Sequence, residues 1–299
     1  MALVFLKKLR NRYIWQRIFY ERLTEPVHLN LMAVGVAVFG GLRSKVAFDL
    51  VLRQQHAYSI LACADLAREL GIEEVTLVEF GVSAGAGLLN ICELAGRVTC
   101  ETGVRFRVFG FDTGTGMPPP QSYRDHPEIY QEGDFPMGHE RLRQSLPANA
   151  QLFIGEIKDT VEPFLQSVSP AAPIGFVSID VDYYSSTHDA LAVLEGEAEQ
   201  YLPRVPVYLD DVEHPSHNSW CGERLAVNEF NERHEQRKIE QHAFLRSYRV
   251  FRNARWIDHM FTLHVLDHPS RTALVQQRET TVLTNPYLDQ HPARKEMQP

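Results

Sequence analysis

The sequence predicts an α/β protein with a doubly wound, Rossmann-like, mostly parallel sheet, preceded by extra N-terminal helices. Along the middle of the 299-residue chain, short apolar runs of strand length alternate with longer segments of helical periodicity. This alternation is typical of parallel strands joined by helices that cover both faces of one sheet. Several of the runs end on an acidic residue or a glycine, which is where the ligand crevice of such a sheet lies.

The N-terminal segment predicts helices. Apolar side chains recur at near-helical spacing between basic ones over residues 4–23, which indicates a helix that docks on this subunit or on a neighbour. A membrane-surface helix is the alternative. The apolar run 31–42 is shorter than the roughly 20 residues that a membrane span requires, and we expect it to be buried in protein. Residues 45–70 predict one long helix, ended by Gly71.

These observations divide the chain into three parts. We expect a helical extension over residues 1–70 packed on the core, an α/β core over residues 71–275, and a polar tail over residues 276–299. The helices of the extension could also join copies of the chain into a homo-oligomer through residues 1–45. The composition, 44% hydrophobic and 23% charged, is that of a globular protein.

The first strand of the core leads into a glycine-rich turn. The run 75–80 is mostly apolar, with Val75, Leu77, Val78 and Phe80, and the residues after it pass through glycines into a helical pattern. Such a turn brings bare backbone N–H groups and the positive end of a helix to one point, which suits a nucleotide-type ligand. The residues predicted to form this cofactor site are Glu79, Gly81, Ser83, Gly85 and Gly87.

The spacing of these glycines indicates the kind of cofactor. The first two are four residues apart, not two as in the dinucleotide pattern G-x-G-x-x-G. An acid placed before the first glycine favours a cofactor with positive charge, such as S-adenosylmethionine (SAM), whose sulfonium and ammonium groups are cationic. A glycine-rich turn that binds nothing is the alternative.

The second strand, residues 105–111, ends on Asp112 and Thr113. A carboxylate at this strand end can accept hydrogen bonds from both hydroxyls of a ribose, and Asp112, with Thr113 next to it, is therefore assigned to the predicted cofactor site. An Asp-Thr-Gly turn cap is the alternative. The excursion that follows, residues 118–147, is rich in Pro, Gly and acids, and is typical of a lid or binding loop.

Further strands and helices complete the core. The apolar runs that predict the strands are residues 150–154, 174–179, 205–209 and 261–266, the last of them at the sheet edge. Residues 160–168, a segment beginning near Ser185, and residues 223–234 predict the helices.

Acidic residues follow two of these strands, Asp180 and Asp182 after the first and Asp210 and Asp211 after the second. Neighbouring strands lie ~4.8 Å apart, so that these carboxylates can converge, and a divalent cation removes their repulsion. We expect Asp180, Asp210 and Asp211 to bind Mg²⁺ or another divalent cation. A helix cap at Asp180 and a solvated Asp210-Asp211 turn are the alternative.

A general base is also expected near these acids. Asp182 is the first candidate because it lies in the same strand-end motif. Three histidines that titrate near neutral pH are the alternatives, namely His188, His214 and His217.

Charge and cysteine usage restrict the partners and the compartment. The net charge of −8 argues against a nucleic-acid partner, which would require a basic face. The four cysteines form no C-x-x-C pair, so we expect no disulfide framework and a cytoplasmic location.

Five motifs carry a resemblance to a known family. They read EFGVSAGAG, GFDTGTGMP, SIDVDYYSSTHDAL, LDDVEHP and GERLAVNEF. Over residues 79–230 the chain resembles the class I SAM-dependent methyltransferases of the macrocin O-methyltransferase (TylF-like) family, which are metal-dependent enzymes that methylate sugar hydroxyls. Val212, after the Asp pair, and the FDTGTG segment depart from the pattern of that family.

The resemblance implies roles for individual residues. The glycine turn with Glu79 would hold the methionine part of SAM, and Asp112 the ribose. Glu156 and Ile157 would lie at the adenine. The same three aspartates, Asp180, Asp210 and Asp211, would bind the metal.

We therefore expect a Mg²⁺-assisted, SAM-dependent O-methyltransferase that acts on a small hydroxylated substrate, such as a sugar or another secondary metabolite. An NAD-dependent oxidoreductase is one alternative, which the glycine spacing disfavours. A non-catalytic SAM-binding subunit that serves assembly is the other.

Overall fold

Seven strands form one sheet within residues 17–213 and 218–271, the part of the chain that the computed structural model describes. The strands are β1 Glu74–Phe80, β2 Arg105–Asp112, β3 Ala150–Ile154, β4 Ile174–Ile179, β5 Arg204–Leu209, β6 Arg237–Gln241 and β7 Met260–Val265. Their order across the sheet is β3-β2-β1-β4-β5-β7-β6. Strands β1 to β5 are parallel, and β7 pairs antiparallel with both β5 and β6. This arrangement confirms the predicted fold class, a doubly wound Rossmann-like sheet of the class I methyltransferase type.

Helices and short turns of helix connect the strands. The α-helices are α1 Val27–Phe39, α2 Leu42–Ala47, α3 Gln54–Glu69, α4 Ala86–Thr102, α5 His139–Ser145, α6 Ile157–Ser167, α7 Tyr184–Leu191, α8 Gly222–Arg233 and α9 Leu245–Tyr248. A π-helical turn spans Arg17–Arg22, and 3₁₀ turns span Tyr123–Asp125, Ala192–Leu194, Ala198–Gln200, Asp211–Glu213 and Arg255–His259.

The register of the central strands aligns the residues that follow them. Phe80 of β1 is level with Phe111 of β2 and with Ile179 of β4, and Ile179 is in turn level with Leu209 of β5. Strand β4 is buried along its whole length, which is why its sequence is a continuous apolar run. The acids and glycines after these strands therefore meet at one edge of the sheet.

The predicted helix over residues 45–70 is wrong as a single element, because the chain forms α2 and α3 with a break between them. Asp49 and Arg53 both have positive φ angles, +51° and +49°, which no α-helix allows. The Asp49 carboxylate accepts a hydrogen bond of 2.6 Å from Arg249, far along the chain. The spacing of apolar residues over 45–70 does not indicate this interaction with Arg249.

The edge of the sheet also differs from the prediction. The late strand β7 lies inside the sheet, between β5 and β6, and β6 forms the edge beyond it. Strand β6, with the sequence RKIEQ, was not predicted because a single buried isoleucine, Ile239, carries its apolar signal.

The N-terminal helices pack on the core to different extents. Helix α3 packs directly on the sheet through Ala57, Ile60 and Ala64, which are completely buried. Helix α1 does not, and the expectation that residues 31–42 are buried is wrong: Leu31 is 68% exposed and Phe39 is 89% exposed.

The described residues leave several predictions untested. The domain boundary at residue 70 stays a prediction. Three of them lie outside the described residues: the tail expected over residues 276–299, the start of the helix expected over residues 4–23, and two of the candidate bases, His214 and His217. No helix in the described part of the chain is long and apolar enough to cross a bilayer.

Candidate active site

A cavity of about 340 Å³ opens at the carboxyl ends of β1, β2, β4 and β5. Its size is within the range of sites for small ligands. Nine of the predicted site residues line it: Gly81, Ser83, Asp112, Thr113, Ile157, Asp180, Asp182, Asp210 and Asp211. Four do not, namely Glu79, Gly85, Gly87 and Glu156. The topology thus brings the predicted metal ligands and part of the predicted cofactor site to one cavity.

The turn after β1 is shaped by glycine. Gly81 has φ +81°, and a Cβ atom there would lie 1.7 Å from the carbonyl oxygen of Asp180. Its N–H donates to the carbonyl of Phe111 over 3.0 Å. Only glycine permits this approach of backbone to backbone, which brings the ends of β1 and β4 together beneath the cavity.

Glu79 lies behind the turn. Its Oε1 atom would be 1.9 Å from a Cβ atom at Gly87, so that the glycine makes room for the carboxylate. The side chain is 3% exposed, and its Oε2 atom has no hydrogen-bond partner among the described residues. Burial, with the negative charge of Asp180 adding to it, raises the pKa of Glu79 to about 8. A positive group near this carboxylate would relieve the cost of its burial.

The rest of the turn is covered by protein. Leu142 of α5 packs on Gly85, with its Cδ1 atom 2.5 Å from where a Cβ atom would be. Gly85, the residue that caps the N-terminus of α4, is therefore not open to the cavity.

Asp112 joins the ends of β1 and β2. Its Oδ2 atom accepts from the N–H of Ser83 over 2.8 Å, and its Oδ1 atom accepts from the N–H of Gly114 over 2.7 Å. Each carboxylate oxygen has two lone pairs, so both atoms can accept a further hydrogen bond from a ligand. The Thr113 hydroxyl donates to the carbonyl of Gly116.

Of the two residues expected at the adenine, only Ile157 lines the cavity. Ile157, at the start of α6, is 9% exposed and lines the cavity. Glu156 is exposed and lies outside the lining. An apolar side chain such as Ile157 offers a flat ring a surface to pack on.

Four aspartates face the cavity from the ends of β4 and β5. Burial, followed by the charge of Asp210, raises the pKa of Asp180 to about 8. Burial, followed by the charge of Asp182, raises the pKa of Asp211 well above its usual range. Burial also raises the pKa of Asp182, which has the positive φ of +60°. The mutual repulsion of these groups is the penalty that a bound cation would remove.

Three residues that the sequence analysis did not single out hold these acids. The Tyr208 hydroxyl donates to Asp210, and the Tyr130 hydroxyl donates to Oδ1 of Asp211 over 3.3 Å. The Oε2 atom of Glu223 accepts from the N–H of Asp211 over 2.9 Å. Glu223 belongs to the GERLAVNEF motif and Tyr208 precedes the Asp pair, whereas Tyr130 comes from the aperiodic excursion and left no signal in the sequence.

The donor atoms suit a hard cation. Carboxylate oxygens are the ligands that Mg²⁺ prefers, and the Oδ2 atom of Asp211 is buried without a partner among the described residues. No three His, Cys, Asp or Glu side chains within residues 17–213 and 218–271 form a ready-made ligand shell. The aspartates share the cavity and fit a cation by chemistry, and their side chains would have to move together to bind it.

The excursion over residues 118–147 supplies another part of the wall, through Pro118, Asp134 and Phe135. Asp125, which is completely buried, fixes it in place: its Oδ1 atom accepts from the N–H of Ser185 and its Oδ2 atom from that of Gln121. The excursion is thereby tied to the start of α7. His188 on the same helix does not line the cavity.

Solved structures that are similar to this chain include three methyltransferases. The calicheamicin methyltransferase CalS11 shares 20% identity with it, over 68% of this chain and 83% of that one, with a TM-score of 0.42. The O-methyltransferase NovP shares 21% identity with it, over 60% of this chain and 72% of that one, with a TM-score of 0.43. TomG from Streptomyces achromogenes is an O-methyltransferase involved in tomaymycin synthesis and was solved with SAM. It shares 15% identity with this chain, over 68% of this chain and 77% of that one, with a TM-score of 0.34.

No protein-family model matches the chain, and no curated protein sequence does. The fold assignment itself comes from the order and directions of the strands described above.

Proposed function

We propose that this protein is a SAM-dependent O-methyltransferase that acts on a small hydroxylated substrate with the help of a divalent cation. The observation that carries this proposal is the convergence of three strand ends on one cavity. Asp112 faces it at the end of β2, Asp180 directly after β4 and Asp210 directly after β5, beside the backbone of Gly81. A nucleoside site and a set of hard oxygen ligands thus lie within the reach of one small substrate.

The cofactor half of the proposal assigns the turn and its neighbours. Asp112 would accept from the ribose hydroxyls, and Ile157 would pack on the adenine. Glu79 is buried, and its Oε2 atom has no partner within the described part of the chain; this carboxylate would stabilise the cationic end of the cofactor from behind the turn. Bound SAM would supply an electrophilic methyl group.

The metal half assigns Asp180, Asp210 and Asp211. A divalent cation held there would lower the pKa of a hydroxyl of the acceptor. Tyr208 and Glu223 support this site, since the first donates to Asp210 and the second accepts from the backbone of Asp211.

Asp182 is proposed as the group that takes the proton of the acceptor hydroxyl. It lines the same cavity, and burial raises its pKa toward the range in which a carboxylate accepts protons efficiently. The Tyr130 hydroxyl, close to the same acids, would keep this side chain in position.

The test is titration calorimetry with S-adenosylhomocysteine (SAH), with and without Mg²⁺, followed by methyl transfer to a panel of sugars and diols. We expect SAH to bind, NAD not to bind, and transfer to require the metal. Asp210→Asn and Asp211→Asn should each lower kcat/KM by at least about a hundredfold while SAH affinity changes less than about threefold, because an electrophilic metal stabilises charge that develops during transfer.

Asp189→Asn is the matched control, since Asp189 lies on α7 outside the cavity lining. Binding of NAD in place of SAH would favour an oxidoreductase. Tight SAH binding without transfer to any hydroxyl would favour a SAM-binding subunit. Full activity of both aspartate variants would overturn the metal assignment.

A reducing cytoplasmic location is part of the proposal. All four cysteines are free, and Cys63 is buried among apolar side chains. When the unfolded protein is alkylated without reductant, its intact mass is expected to show four alkylated thiols and no disulfide.

A further inference from the structure

We propose that helix α1 binds the surface of an anionic phospholipid bilayer. No residue of α1 lines the cavity, so binding of this helix to lipid would not depend on the reaction proposed there.

Helix α1 exposes apolar side chains around most of its circumference. Val27, Leu31, Val34 and Val38 form one stripe, and they are 74%, 68%, 64% and 66% exposed. Phe39, 89% exposed, lies about 100° from that stripe. Ala33 is the buried residue of the helix among those described. A helix that is apolar all round requires an apolar environment on more than one side.

The start of the helix is fixed to the body of the protein. The Oε1 atom of Glu25 accepts from the N–H groups of Arg252 and Asn253 over 2.5 and 2.6 Å. The side chain of Asn30 donates to the carbonyl of Arg22 over 2.8 Å. The helix with the exposed apolar surface therefore has a fixed attachment to the core.

The stretch of sequence that contains this helix is basic. Residues 1–48 carry eight lysines and arginines and only two acids, Glu21 and Glu25, in a chain whose net charge is −8. Both glutamates are buried, at 8% exposure each. In the sequence, basic residues thus flank the apolar run of α1, and a segment of this composition is attracted to anionic lipid headgroups and can insert among acyl chains.

A second copy of this chain is the other occupant to consider. A flat protein surface covers one side of a helix, whereas the exposed side chains of α1 extend over more than half of its circumference. Two copies would also bring two strongly basic segments together, which costs free energy unless anions separate them. A negatively charged bilayer satisfies both conditions.

The experiment is flotation of the full-length protein with vesicles. We expect binding to vesicles of phosphatidylcholine with about one-third phosphatidylglycerol, little binding to phosphatidylcholine alone, and weakening as salt screens the charges. The double variant Val34→Glu/Val38→Glu should reduce the bound fraction at least about tenfold, because two charges would enter the acyl layer.

The matched control is Phe244→Glu/Tyr248→Glu, which places two charges at exposed aromatic positions, 73% and 80% exposed, outside α1. It should bind as the wild type does, with both variants folded by circular dichroism. Absence of binding to anionic vesicles would overturn the proposal, as would unchanged binding of the α1 variant. So would light scattering that shows a lipid-free dimer which the α1 variant converts to a monomer, since a second copy would then cover the helix.

Discussion

The buried carboxylate of Glu79 gives the cofactor site a pH dependence. Burial raises its pKa to about 8, so the folded protein holds it protonated below that pH. SAH keeps the ammonium group of SAM, and an ammonium near this carboxylate favours its ionised form. We therefore expect SAH affinity to increase as pH rises from about 6 to about 8, by up to roughly tenfold per unit. Glu79→Gln should bind more weakly and lose this dependence. Calorimetry across the pH range measures both, and Glu73→Gln, at an exposed acid, should behave as the wild type.

The buried imidazole of His56 makes the stability of the fold depend on pH, and stability, like SAH affinity, is expected to increase as pH rises. His56 is 1% exposed and packs against Phe176 and Tyr208. Burial, with the positive charge of Arg53 adding to it, lowers its pKa to about 3. The unfolded chain takes up a proton below pH 6.5 that the folded chain cannot, so stability is complete above that pH and is lost as pH falls toward 3.

For His56 we expect a loss of about 2 kcal/mol in the free energy of unfolding between pH 7 and pH 5. The variant His56→Phe should lack this part of the slope in urea titrations at the two pH values. His28→Phe, which changes an exposed histidine, is the control. An identical slope in the His56 variant would contradict the assignment.

At the level of elements, Asp125 connects the excursion to α7 through the backbone of Gln121 and Ser185. Asp125→Ala removes the acceptor at the start of that helix, so we expect a loss of about 1 to 2 kcal/mol in stability and faster proteolysis within residues 118–147. Asp159→Ala, at an exposed acid in the first turn of α6, should leave the cleavage rate unchanged. Limited proteolysis with mass spectrometry measures the difference.

The elements also show how far the sequence could predict the structure. Residues 174–179 coincide with β4, because a strand buried on both faces has an unbroken apolar signal. The break between α2 and α3 could not be predicted, since Asp49 is held there by Arg249, 200 residues away. The burial predicted for the apolar run in α1 is wrong for a different reason. Apolar side chains are buried only where the chain supplies a partner that covers them.

The same contrast holds at the cavity. The aspartates after β4 and β5 could be predicted to meet, because parallel strands place their carboxyl ends at one edge. Their partner Tyr130 could not, since it comes from an irregular segment whose path depends on the anchoring of Asp125. Periodicity predicts the sheet, and irregular segments require tertiary information.

At the scale of the whole molecule, a buried ion pair joins the N-terminal helices to the C-terminal part of the core. Arg249 donates to Asp49 over 2.6 Å, and both side chains are almost completely buried. Arg249→Met leaves a buried carboxylate without its counter-ion, so we expect a loss of about 3 to 5 kcal/mol in the free energy of unfolding.

The double variant Asp49→Asn/Arg249→Met should recover part of that loss, because no unpaired charge then remains. Guanidinium titration measures all three proteins. A double variant less stable than Arg249→Met would show that the stability comes from packing and hydrogen bonds, and not from the paired charges.

The position of β7 inside the sheet leaves β3 and β6 as the outer strands of the described sheet, with five residues each. Strand β6 carries Arg237, Lys238 and Glu240 along its short length. Short edge strands, and the charges on β6, discourage the addition of strands from other molecules. Concentrated solutions of the protein should therefore resist fibril growth, with thioflavin T fluorescence staying at baseline under conditions in which the native fold persists.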